Sequence, residues 1–175
     1  MFNQILAKSP AKRAGERLHS EAVAQARHPA LYRDLGAPDT VQGRFELLTL
    51  HVILLVERLR EESGSGGEIG QRLFDVYLSH LDGAIREMGV GDLAVGKRMR
   101  GLGEAFYGRA RSYDGAFAAL PETEPLEALL ARTILEGADL ARPDGLSAYV
   151  LRCREALRRL DINSLVYDPI VWAAP

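Results

Sequence analysis

Four histidines and a single cysteine are the side chains of this 175-residue sequence with the widest choice of chemistry. His19 follows Glu16 in E-x-x-H spacing, which sets a carboxylate and an imidazole on one helix face, as in di-iron bundles. Such a centre needs a second E-x-x-H and two further inward glutamates, and no second copy occurs. There is no H-E-x-x-H pair for zinc and no serine in G-x-S-x-G. Cys153 alone makes neither an internal disulfide nor a multi-thiolate site. In the helical pattern LSAYVLRCREALRRL it reads as a buried thiol with no base nearby to ionise it. The small-residue stretch 63–67, SGSGG, lacks the preceding strand and the Lys-Ser/Thr of a phosphate loop. The residues therefore argue against an enzyme, and neither a metal nor a cofactor is expected.

His51 and His80 differ from the others in standing on apolar faces. His51 lies in DTVQGRFELLTLHVILLVERLR (39–60), apolar from Leu47 to Val56 except for Thr49 and His51 itself. Apolar residues at 41, 45, 48, 52, 55/56 and 59 have helical spacing, and Leu47, Leu50, Ile53 and Leu54 extend them round the cylinder. A helix apolar on nearly every side is a central one. Its apolar core is about half of the ~20 residues that a membrane span needs, with charged residues at both ends. At 100° per residue, Arg44, Leu47, His51, Leu54/Leu55 and Arg58 form one stripe beside the main apolar face. That stripe suits either a buried polar network or contact with a partner segment.

The remaining elements supply the surroundings. The spacing predicts helices over 10–27, 68–88, 92–120, 126–136 and 146–160, with a short turn at 30–35 and a central helix at about 40–62. Asp39 or Thr40 is expected to cap that central helix. The first helix is thin in apolar residues and is expected on the outside. Gly96, Gly101, Gly103, Gly108 and Gly115 are many for a helix interior, which suggests close helix approach, a kink or local softness. The tail 162–175, with Pro169 and Pro175, is expected to be extended. No stretch alternates with period two. The expected class is all-α, a single compact domain of six or seven helices, divided into a basic N-terminal segment with the first helix (1–28), a helical core (29–161) and the tail (162–175).

Composition is ordinary for a globular chain, 47% hydrophobic and 26% charged. A net charge of −2 supplies no global field for DNA. Lys97, Arg98, Arg100, Arg109 and Arg111 near Tyr107 and Tyr113 resemble an RNA-binding mixture, but Glu104 and Asp114 intervene and ordinary solvated helix faces explain them. The absence of a signal-like apolar run near the start and the single cysteine suggest a reducing compartment, most simply cytoplasm.

The sequence also resembles the ubiquinol–cytochrome c chaperone family over roughly residues 28–155. The resemblance rests on Pro38-Asp39-Thr40 with Gly43-Arg44-Phe45, Leu50-His51, Arg58-Leu59-Arg60 and Arg86-Glu87-Met88-Gly89-Val90-Gly91-Asp92. Phe106-Tyr107-Gly108-Arg109 with Tyr113-Asp114 completes it, and Leu130-Ala131-Arg132 follows more loosely. It implies a non-enzymatic assembly chaperone for the respiratory ubiquinol–cytochrome c reductase, with cytochrome b or another nascent membrane-protein segment as client. It further implies a second assembly factor as a possible partner, ribosome contact in mitochondrial members, and peripheral association with the inner membrane, on the matrix side in an organelle. An apolar groove bordered by charge would hold such a client. Arg44, His51, Arg58 and Arg86 are expected to border it, with Phe106, Tyr107, Arg109 and Tyr113 as a second stretch. Arg109→Glu or Tyr113→Ala is then expected to weaken client capture in a folded domain. The alternative is an all-α haem or quinone protein using His51 or His80.

Overall fold

The computed structural model describes residues 9–87, 92–138 and 141–175. The glycine-flanked break expected at 89–91 and the first eight residues lie outside them. The described residues form helices and no strand: α1 Pro10–Ala26, α2 Pro29–Arg33, α3 Val41–Arg60, α4 Gly66–Glu87, α5 Asp92–Ala118, α6 Glu124–Thr133, α7 Pro143–Arg158 and α8 Ile162–Tyr167.

α3 is the axis of the bundle, packed against α1, α4 and α7. Its start is fixed by Thr40, whose hydroxyl accepts from the Gly43 N–H at 3.1 Å. Gly43 is itself required, because a Cβ there would run into the carbonyl oxygen of Pro38. From Glu46 to Leu55 every residue is buried, so the all-round apolar pattern does mark the centre. A short turn after α3 leads into α4, giving the helix hairpin that the small-residue loop implies.

α1 corrects one expectation. It lies in the core, not on the outside, and it does so with small residues: Ala11, Ala14, Leu18, Ala22 and Ala26 form its buried stripe. A Cβ on Gly15 would stand 2.8 Å from backbone atoms of Arg72 and Leu73, so the bare Cα lets α1 press on the α4 backbone. Thin apolar content therefore signals close approach here and not exposure.

The tail corrects another. Residues 162–167 are helical, started by Asp161, whose carboxylate accepts from the Ser164 N–H at 2.8 Å. Arg17 on α1 donates to the carbonyls of Val166 and Asp168, both at 2.7 Å, and to that of Leu165. One guanidinium thus satisfies the carbonyl end of α8, where helices leave acceptors open. Only the residues after α8 are non-helical, and they lie back on the bundle through buried Ile170.

Candidate functional site

The stripe of Arg44, His51 and Arg58 exists as drawn, but α7 covers two of its three members. His51 is wholly buried. Its Nδ1 lies 2.7 Å from the Leu47 carbonyl oxygen and its Nε2 2.7 Å from the Tyr149 hydroxyl. A carbonyl only accepts, so Nδ1 carries the proton, and the neutral ring accepts at Nε2 from Tyr149. Gln25 donates to the same hydroxyl at 2.9 Å, and the Trp172 ring meets His51 edge-on at 5.2 Å between centroids. Burial pulls the His51 pKa down from 6.5 to about 4, against a smaller upward pull from the Leu47 hydrogen bond. His51 is a satisfied core histidine with both nitrogens engaged. It offers no free nitrogen to a haem iron.

Arg58 is 7% exposed and donates to the carbonyls of Leu157 and Leu160 at 3.1 and 2.6 Å, closing the end of α7, with Glu62 as its counter-ion. Beside it, Arg154 of α7 pairs with Glu57 at 2.7 Å and lies 4.4 Å over the Phe117 ring. The arginines on this side of α3 and α7 thus latch helices together.

Phe106 and Tyr113 are buried, at 3% and 2% exposure. Phe106 packs on Phe74 and Tyr77 with centroids 4.8 and 5.3 Å apart. Burial holds the Tyr113 hydroxyl far above its usual range, and that of Tyr77 is pushed up to about 12 by the same cause. Arg109 is paired with the buried Glu46 of α3 at 2.8 Å. Substitution at Arg109 or Tyr113 therefore also removes a contact inside the bundle, beside any effect on a client. Cys153 is buried as expected, and burial raises its thiol pKa.

The residues left facing outward are Arg44, Arg86 and Tyr107. Arg86 pairs with Asp82 at 2.8 Å one turn back on α4. Tyr107 is half exposed and rests against Phe74 at 5.2 Å between centroids. Arg44, tied to Asp39 at 2.6 Å, stands at the rim of an apolar opening.

That opening is a cavity of about 350 Å³ where α1, α3, α4 and α5 diverge. Leu48, Leu81, Ile85 and Leu102 supply apolar walls from three of these helices, and Val23 and Ala26 close it from α1. Arg27, Arg44 and His80 contribute the polar edge. Val41, at the start of α3, is 75% exposed beside it. Sequence spacing singled out Arg44 and His80 from this group and missed the rest. The signal for Leu81, Ile85 and Leu102 was present as helical stripes, but a stripe does not say whether a neighbouring helix covers it. Phe106 lies one turn beyond Leu102 and Phe74 two turns before Leu81. The aromatic cluster thus continues the α4–α5 seam out to the exposed Tyr107.

Close approach does not explain the α5 glycines. A Cβ at Gly96, Gly101, Gly103, Gly108 or Gly115 would meet nothing within 4 Å. Each lowers helix propensity by about 1 kcal/mol against alanine with no steric return, in the helix that supplies Leu102 to the opening.

Among the described residues no three His, Cys, Asp or Glu side chains are arranged to hold a metal, and no helix is long and apolar enough to cross a membrane.

Comparison with known proteins gives one consistent answer. A family model described as ubiquinol-cytochrome C chaperone matches residues 33–172, running past the span of the sequence resemblance to include α8 and Trp172. The crystal structure of the Cbp3 homolog from Brucella abortus is similar with a TM-score of 0.83 at 32% sequence identity, covering 94% of this chain and 91% of that one. No curated protein sequence matches at a significant level.

Proposed function

This chain belongs to the ubiquinol–cytochrome c chaperone family, and from that premise we propose that it binds an apolar segment of cytochrome b during assembly of the ubiquinol–cytochrome c reductase. Membership supports a non-enzymatic assembly-chaperone role in general. The observation that carries the specific reading is the apolar opening between α1, α3, α4 and α5, edged by Arg27, Arg44 and His80.

A membrane-spanning segment outside the bilayer must cover apolar side chains while its flanking polar residues stay in water. Each buried CH₂ of such a segment gains about 0.8 kcal/mol. An apolar wall with cationic edges meets both demands, since the arginines can reach carbonyls at a helix end or acidic flanking residues. The half-exposed Tyr107 and its aromatic neighbours lengthen the contact along α4 and α5. Work on such a client places the protein in the cytoplasm at the inner membrane surface. A second assembly factor is a further partner in this reading.

The test is site-specific photocrosslinking in cells making cytochrome b, with the photoreactive residue at Val41 or Tyr107. Capture of cytochrome b from both positions, and not from the exposed Arg159 on the far end of α7, is the expected result. Equal capture from all three, or none from Val41 and Tyr107, sinks the reading.

A further inference from the structure

We propose that His19 and His80 form a two-imidazole site for a late first-row divalent cation of the zinc class. The E-x-x-H spacing at 16–19 suggested metal chemistry on one helix and then lacked a second copy. The fold supplies the missing imidazole from another helix. His19 on α1 and His80 on α4 stand with ring centroids 5.0 Å apart and planes inclined by 53°.

The separation is that of two imidazoles sharing one ion. With a metal–nitrogen distance of about 2.1 Å, a ring nitrogen about 1.1 Å from its centroid and a tetrahedral angle, two ligand rings have centroids about 5.2 Å apart. The observed centroid separation of 5.0 Å is close to that figure.

His19 supplies a second and independent observation. It is 6% exposed, and its Nε2 is buried with no hydrogen-bond partner. Buried ring nitrogens are normally bonded, so this one is an open valence in the fold. The His19 side chain lines a cleft between α1 and α4 of about 560 Å³, which His80 also lines. The other charged groups lining the cleft balance: Lys12 and Arg72 against Glu16 and Asp75. Asp75 is held by Gln71 and Arg72 at 2.8 and 3.4 Å. The protein's own ligands are thus the two imidazoles, and water completes the coordination. That donor set selects zinc, copper or nickel over calcium or magnesium, which demand oxygen.

His80 lines both this cleft and the apolar opening. A bound ion would fix its imidazole on the α1 side and tie α1 to α4 along one wall of the opening. That consequence rests on the proposed client groove; the ion site itself does not.

The experiment is titration of Zn²⁺ into the tag-free full chain by calorimetry, with thermal unfolding as the second readout. One equivalent should bind and raise the unfolding temperature. His80→Gln, an exposed change, should weaken uptake more than about tenfold and abolish the thermal shift with unaltered circular dichroism. His28→Gln, away from the site, should change neither. Absence of saturable uptake, or uptake equal in His80→Gln and the parent chain, overturns the proposal. His19→Asn should lose binding too. Should that variant fail to fold, the His80→Gln result decides by itself.

Discussion

Arg109 of α5 donates from Nε and Nη2 to Oε2 and Oε1 of Glu46 on α3, at 3.0 and 2.8 Å. The carboxylate is 3% exposed and the guanidinium side chain 36%, so a charge at the bundle axis is neutralised from the surface through a bidentate pair. Gln42 adds a third donor to Glu46 Oε1 at 3.1 Å.

Removing one side of this pair exposes the asymmetry of buried charge. Arg109→Ala leaves Glu46 buried with only Gln42, and a loss of about 3 kcal/mol is expected in urea unfolding. Glu46→Gln in the Arg109→Ala background should recover part of that loss, because a buried amide costs less than a buried carboxylate. Equal stability of Arg109→Ala and the parent chain would show that the pair contributes nothing.

The buried histidines set an acid limit. His19 and His51 have pKa values lowered from 6.5 to about 4, first by burial in both cases. Between these values the unfolded chain binds more protons than the folded one. Stability is therefore complete above about pH 6.5 and falls as pH drops towards 4, by up to about 1.4 kcal/mol per pH unit for each ring. His51→Gln should lower stability at pH 7 and give a shallower decline, measured by urea unfolding from pH 7 to 4. An unchanged slope would mean that His51 does not take up a proton on unfolding.

Glycines on α1 and α5 should respond oppositely to the same change. Gly15→Ala places a methyl 2.8 Å from the α4 backbone, and a loss of about 1–3 kcal/mol is expected from overpacking. Gly101→Ala meets open space and should stabilise by about 1 kcal/mol or less through helix propensity. Thermal unfolding of the two variants beside the parent chain checks both signs.

Substitutions at the opening should separate binding from folding. Val41→Glu adds charge at an exposed apolar edge, and Ala84→Trp fills the cavity beside Leu81 and Ile85. Both are expected to reduce cytochrome b capture with helical circular dichroism retained. Phe106→Ala is expected to cost about 3–5 kcal/mol of stability instead, as large-to-small core changes do. Unaltered capture in both edge variants would remove the opening from the client surface.

The His51 geometry also bears on the haem alternative. With Nδ1 and Nε2 both bonded inside the core, any Soret change on haem titration should be the same in His51→Ala, once folding is confirmed, as in the parent chain. A shift lost only in that variant would show that the core opens to admit iron.

Much of this fold was written in local pattern. The apolar run around His51 could only be central, because no face of it tolerates water. Thr40 ahead of Gly43, and the small-residue loop after α3, fixed the limits of that helix by capping and chain reversal. The order and spacing of short pieces from Pro38 to Asp114 carried the family resemblance. What the sequence could not determine was which face of a helix another helix covers. Arg58 and Arg44 share a stripe, yet α7 buries the first and leaves the second at an open rim. Ala14, Gly15 and Leu18 read as a weak surface helix until the α4 backbone is laid against them, because close approach leaves no long apolar side chains to notice. Likewise Glu16 and His19 carried half a metal motif, and only the packing of α1 on α4 set His80 beside them. Burial and pairing are relations between distant residues, and tertiary structure alone decides them.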